Sequence, residues 1–142
     1  MLLNELKNVE SSGGTYAAVL PTPGTLALVQ DWADKNKIVL DDNLHVTLLF
    51  SRKPLCITCS NDEYVATGVG FSKLGDALVL KLDCPAIVAR HDQFIAQGGT
   101  HDFPEFIPHM TIQAKSELKP EDVPMMDFGL IFNNEYSEPL KF

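Results

Sequence analysis

The chain has 142 residues, 45% of them hydrophobic, with 19 acidic against 11 basic side chains and a formal net charge of −8. That length and apolar content suit one domain with its own core and exclude a disordered chain, and no apolar run is long enough to span a membrane. The acidic balance excludes a long nucleic acid as the main partner, because such binding is driven by Lys and Arg neutralising phosphates. Residues 1–14 read as a short polar helix or lead ending at Ser11-Ser12-Gly13-Gly14, without the basic and apolar regions of a signal peptide, so a cytoplasmic protein is expected. Residues 15–20 read as a strand. Pro21-Thr22-Pro23-Gly24 breaks it, and Thr25 is the expected N-cap of a helix over 26–35, with Leu26, Val29 and Ala33 inward and Asp31, Asp34 and Lys35 in water. Asp41-Asp42-Asn43 is a polar turn into a strand at 45–50. Arg52-Lys53, the one adjacent basic pair, reads as a solvated turn before Pro54. Strands are expected at 63–71 and 77–83 around a turn containing Gly75-Asp76. Pro85 suits the first turn of a helix over 86–96, with Ile87, Val88, Phe94 and Ile95 apolar and His91 on the surface, and Gly98-Gly99 stops it. A loop at 98–108 leads to a strand at 109–114. A helical turn at 118–122, a strand at 127–132 and a last strand at 136–141 complete the reading.

Two of these strands carry the chemistry. His45-Val46-Thr47 and His109-Met110-Thr111 are both His-x-Thr triplets in alternating runs. Side chains alternate across a strand, so Val46, Leu48 and Phe50 share one side while His45 and Thr47 share the other. In the second run Met110, Ile112 and Ala114 share one side, and His109, Thr111 and Gln113 the other. Each triplet therefore aims one imidazole and one hydroxyl at the same space. Two imidazoles can act as general base and general acid, and two hydroxyls can donate to an oxyanion held between them. This suits phosphoryl transfer without a metal, since free imidazole titrates near pH ~6.5 and offers both protonation states near neutrality. A single such triplet on a strand is explained as well by ordinary strand composition; it is the pair that points to a site.

Other motifs point less far. Cys56, Cys59 and Cys84 are an odd set without a signal peptide, which argues against a disulfide framework. Cys56-Ile57-Thr58-Cys59 has zinc-knuckle or redox spacing, but no second pair completes a zinc site. His91-Asp92 and His101-Asp102 raise a metal phosphohydrolase as a rival, yet no ordered set of further ligands follows them. His101-Asp102 reads instead as shaping the loop above a groove, where Phe103 or Phe106 could stack on a base or pack on the sheet. The layout also repeats: strand, Pro-marked helix and His-x-Thr strand occur at 15–50 and again at 77–114. A two-lobed sheet with one triplet per lobe would have this layout, its polar strand faces lining a groove and its helices covering the apolar faces.

The paired triplets resemble the signature of the two-histidine (2H) phosphoesterase superfamily, in which two His-x-Thr or His-x-Ser motifs lie on strands. The resemblance covers nearly the whole chain in layout and six residues in specific motif. It implies an α+β, bilobal fold of two antiparallel sheet lobes around a central groove with helices on the outer faces. Within the superfamily, the small acidic phage-type anti-CBASS phosphodiesterases are most similar, on size, on Thr15-Tyr16 and on Tyr136-Ser137-Glu138-Pro139-Leu140. That branch opens cyclic di- and trinucleotide messengers. It implies His45, Thr47, His109 and Thr111 as catalytic residues, with no metal and no cofactor. Tyr16 would stack on a base or touch phosphate, and Glu138 would accept from a base edge; Phe106 completes the expected ligand contacts. A monomer acting on a small cyclic nucleotide is expected. RNA 2′,3′-cyclic or 2′–5′ phosphodiesterases, and a nucleotide-binding module without turnover, remain the alternatives.

Overall fold

The computed structural model describes residues 13–141. In chain order these form β1 (Gly13–Pro21), α1 (Pro23–Lys35), β2 (Val46–Ser51), β3 (Tyr64–Leu74), β4 (Ala77–Asp83), α2 (Pro85–Ala96), β5 (His109–Gln113), a 3-10 turn (Pro120–Asp122) and β6 (Leu130–Lys141). Of the lead expected at 1–14, positions 1–12 lie outside the described residues, and Gly13 and Gly14 belong to β1. No helix among the described residues is long and apolar enough to cross a membrane.

All strand pairs are antiparallel and the sheet closes in the order β1-β2-β5-β4-β3-β6. The expected α+β architecture is present. Its two lobes are β6-β1-β2 and β5-β4-β3. Within a lobe the pairing is long: β1 follows β6 from Gly13↔Lys141 to Pro21↔Phe132, and β3 follows β4 from Thr67↔Asp83 to Leu74↔Ala77. Between lobes it is short. β3 meets β6 from Tyr64↔Phe132 to Ala66↔Leu130, and β2 meets β5 at Val46↔Met110. These two short junctions close the strand order of the described residues into a ring. Gly75, at φ 58°, turns the β3–β4 hairpin where a side chain would be strained.

One buried cluster unites the apolar strand faces with the helices. Val46, Met110 and Ile112 belong to it together with Val29, Trp32 and Ala33 of α1 and Ile87 and Phe94 of α2. The α1 cap differs from expectation. Thr22, not Thr25, is the N-cap: its hydroxyl accepts from the Thr25 amide at 3.2 Å, with Pro23 opening the helix. Thr25 is buried and accepts from the Ile131 amide at 3.0 Å, tying α1 to β6. Helix α1 docks through Thr25, Val29, Trp32 and Ala33, which leaves Leu26 43% exposed rather than inward. Trp32 draws the helix that way, stacking on Phe71 at 5.6 Å and donating to the Pro124 carbonyl at 3.1 Å. Helix α2 likewise buries Ile87, His91 and Phe94, one turn apart. His91 is thus a core residue and not a surface one, and Ile95 faces out.

The two terminal strands expected at 127–132 and 136–141 are one strand. The polar run Asn133-Asn134-Glu135 is a bulge inside it. Register runs Ala18↔Tyr136 and then Leu20↔Asn133, and Asn134 takes φ 54°, a conformation asparagine tolerates better than most residues.

Candidate active site

The β2–β5 seam sets the geometry. Val46 lies opposite Met110 in an antiparallel pair, and both are fully buried. Extending that register by one residue each way puts His45 across from Thr111 and Thr47 across from His109. The four side chains therefore share the face opposite the core, related by an approximate two-fold through the seam. All four are half-buried, as is Tyr16. His45 sits just before β2 and His109 is the first residue of β5.

The two imidazoles are held alike. His45 Nδ1 lies 2.7 Å from the Asn43 carbonyl, and His109 Nδ1 lies 3.0 Å from the Ile107 carbonyl. A carbonyl only accepts, so each Nδ1 donates, and each Nε2 is left to take or give a proton; of the two rings, that of His109 lines the cavity described below. In both cases the partner is the carbonyl two residues upstream, so the local chain fixes each tautomer without help from the rest of the fold.

Both strands carry a bulge at the residue that follows the triplet. Between β1 and β2 the register passes from Ala17↔Leu49 to Ala18↔Thr47, leaving Leu48 unmatched. Between β4 and β5 it passes from Leu78↔Gln113 to Val79↔Thr111, leaving Ile112 unmatched. Each extra residue reverses the alternation beyond it. Phe50, expected on the side of Val46, is consequently opposite Tyr16 in the β1 register and lines the groove with it. Gln113, expected beside Thr111, instead donates to the Val39 carbonyl at 2.9 Å.

A cavity of about 430 Å³ opens beside this seam, lined by Tyr16, Thr47, Phe50, Phe106 and His109 among others. The Tyr16 hydroxyl is 3.1 Å from Thr47 Oγ1, and its ring meets the edge of His45 at 6.3 Å. Burial pushes the Tyr16 phenol up to about 12, against the opposing Thr47 hydrogen bond. It is therefore a neutral hydrogen-bonding group. Glu138 pairs with Tyr16 in the β6 register but is exposed, and it lines a neighbouring hollow of about 310 Å³ rather than the cavity holding His109.

The family model described as "Anti-CBASS protein Acb1" matches residues 13–142. The chain belongs to the anti-CBASS protein Acb1 family. It is similar to the anti-CBASS protein Acb1 of Vibrio phage KVP40, 38% identical over 104 residues that cover 70% of this chain and 67% of that one. Likeness to the Salmonella phage S16 protein of the same name is 29% over 145 residues, covering 96% and 94% of the two chains. The T4 phage protein of that name is 26% identical over 144 residues, covering 92% and 90%.

In this member of the Acb1 family the far wall of the cavity is the loop at 98–108, and it is latched to β2. Arg52, read as a solvated turn residue, makes a two-point ion pair with Asp102, both contacts at 3.0 Å. The Thr100 amide donates to Ser51 Oγ at 3.0 Å, and the Arg52 amide donates to Thr100 Oγ1 at 2.8 Å. Gly99 has no room for a side chain, because a Cβ there would stand 2.9 Å from the Phe94 carbonyl oxygen. Phe103 and Phe106 both line the cavity; Phe103 is 71% exposed, while Phe106 stacks face to face on His91 at 3.9 Å. The metal-site rival loses its carboxylates: Asp102 is engaged by Arg52, and Asp92 is exposed. Among the described residues no three His, Cys, Asp or Glu side chains are grouped to hold a metal ion. Cys56 and Cys59 are exposed and Cys84 is buried.

Proposed function

We propose that the chain is a phosphodiesterase that opens the 3′–5′ bonds of cyclic di- and trinucleotide messengers and so counteracts CBASS antiphage defence. The observation that supports this reading is the matched pair of imidazoles on one face of the β2–β5 seam, each with Nδ1 committed to a backbone carbonyl, which leaves Nε2 for proton exchange. A site that only sequesters a ligand has no use for that symmetry. The family's name, shared by the phage relatives, supports the defence-countering role. The net charge of −8 favours a compact ligand over a long nucleic acid.

The chemistry follows from the seam. A phosphodiester lies between His45 and His109, with Thr47 and Thr111 donating to its non-bridging oxygens. One Nε2 takes the proton of the attacking hydroxyl, the neighbouring ribose 2′-OH or a water, as the new O–P bond forms. The other imidazole, protonated on Nε2, gives that proton to the 5′ oxygen as the P–O5′ bond breaks. Holding the attacking oxygen in line supplies much of the rate by positioning, and the hydroxyls offset charge growing on the phosphoryl oxygens. Tyr16 orients Thr47 through the 3.1 Å contact and offers its ring to the ligand. Phe106 contributes an apolar wall to the ligand cavity, and Glu138 offers a base-edge acceptor at the rim beside Tyr16.

The test is chromatography of 3′,3′-cyclic dinucleotides and cyclic triadenylate after incubation with the protein in EDTA. Mononucleoside 2′,3′-cyclic phosphates and 2′–5′-linked oligonucleotides run in parallel. Linear products from the cyclic messengers are expected. Turnover confined to the parallel substrates would move the protein among RNA-processing phosphodiesterases, and a stoichiometric complex without products would make it a binding module.

A further inference from the structure

The bulges after the two triplets leave two backbone carbonyls outside the strand ladders, and the lobes satisfy them differently. A buried carbonyl without a donor is costly, so each needs a partner. In the β5 lobe the Ile112 carbonyl accepts from the Asp41 backbone amide at 3.0 Å. In the β2 lobe the Leu48 carbonyl accepts from His91 Nδ1 at 2.7 Å. Leu48 is fully buried and is the residue after Thr47. One triplet is thus backed by main chain and the other by a side chain reaching from α2.

The same imidazole touches the opposite side of the site. Its ring stacks on Phe106 at 3.9 Å with 5° between planes, and the edge of His101 meets it at 4.8 Å. Phe106 lies one residue before Ile107, whose carbonyl fixes His109. His91 therefore bridges the strand that carries Thr47 and the loop that delivers His109. It is 4% exposed and does not line the cavity, so it acts through these neighbours.

We propose that His91 is a positioning residue for the two-histidine site, setting Thr47 through the Leu48 carbonyl and the ligand-facing wall through Phe106. The inference rests on the phosphodiesterase reading for its kinetic arm only. Its two contacts separate chemically. His91→Asn keeps an N–H donor on the δ atom and loses the ring; His91→Phe keeps a ring and loses the donor.

With the wild type turning over a cyclic dinucleotide, His91→Phe should lower kcat on the order of 10-fold to 100-fold with KM little changed, because Thr47 shifts against the transferring phosphoryl group. His91→Asn should hold kcat nearer to wild type and raise KM several-fold, roughly as Phe106→Leu does. A residue that merely holds the fold would lower Tm in both variants and leave kcat and KM of the folded fraction unchanged; that result overturns the inference. A second arm needs neither substrate nor variant. Imidazole 15N spectra of the wild type at pH 7 should show the Nδ1–H tautomer for His91, and a dominant Nε2–H tautomer would contradict the proposal. A wild type inactive on every cyclic messenger, with the His91 tautomer as expected, would remove the phosphodiesterase reading and leave the bracing of Thr47 and Phe106 standing.

Discussion

At the residue scale, the imidazoles could be read from sequence and their support could not. The alternation around His45 and His109 puts each with a threonine on one face, and that much needs only strand periodicity. Tyr16 stands out in sequence by its place in the first strand, but its 3.1 Å contact to Thr47 depends on the β1–β2 register. Since burial raises the Tyr16 phenol to about 12, it stays neutral through the working range. Tyr16→Phe should slow turnover by roughly 10-fold, the worth of one hydrogen bond, and its pH–rate profile should superimpose on the wild-type profile after scaling up to about pH 10. A difference in the shape of the two profiles near neutrality would show that Tyr16 takes part in proton transfer. A His between Arg90 and Asp92 reads as a helix-surface residue, but docking of α2 through Ile87, His91 and Phe94 buries it. Burial lowers its proton affinity, with His101 adding to that effect and the Leu48 carbonyl and Asp92 opposing it. The unfolded chain then binds the proton at higher pH than the folded chain does. The stability from burying neutral His91 is whole above the ordinary imidazole value of ~6.5 and is lost as pH falls through the lower folded value. Thermal melts should show Tm falling from pH 7.5 to pH 5 less steeply in His91→Asn than in wild type. Equal slopes would refute this.

At the element scale, the periodicities yield seven strand segments, the last two of them parts of β6, and both helices, while the bulges stay hidden. A bulge is one residue of mismatch between two strands distant in sequence, so nothing in either strand alone announces it. Leu48 and Ile112 read as ordinary inward strand residues, yet they turn Phe50 into the groove and Gln113 toward Val39. For the same reason the polar run Asn133-Asn134-Glu135 reads in sequence as a break between two strands, although one strand runs through it. Glu135 has the stronger role there. It is buried, accepts from Arg90 at 2.9 and 2.7 Å and from the Ser60 amide at 2.9 Å, and so binds α2 and the segment after β2 to β6. Arg90 also donates to the Thr58 carbonyl at 2.9 Å and lies 4.3 Å over the Phe94 ring. Arg90→Met should destabilise the fold by about 3–5 kcal/mol in chemical denaturation, since it strands a buried carboxylate. Adding Glu135→Gln should restore part of that loss, and a double variant less stable than Arg90→Met would contradict the pairing. By contrast the Arg52–Asp102 latch is exposed and salt-screened, so it positions the loop more than it stabilises the fold.

At the scale of the molecule, two strand–helix–strand halves, β1-α1-β2 and β4-α2-β5, meet along the β2–β5 seam. Their likeness could be seen in the layout of the sequence because each half is local in the chain. The closure by β3 and β6 could not, because Tyr64–Phe132 and its neighbours pair across much of the chain and neither segment names its partner. A seam that short, between two longer-paired lobes, puts one histidine and one threonine from each half around a single point. On the proposed mechanism the two halves supply one acid–base unit. The direct measurement is the turnover of a cyclic dinucleotide in EDTA by wild type, His45→Ala, His109→Ala and the double variant. Each single variant should lose about 10²–10⁴ in kcat, and the double variant should be scarcely slower than the worse single, as groups acting in one step behave. Single variants that each keep near wild-type turnover, or losses that multiply in the double, would contradict a shared two-histidine mechanism.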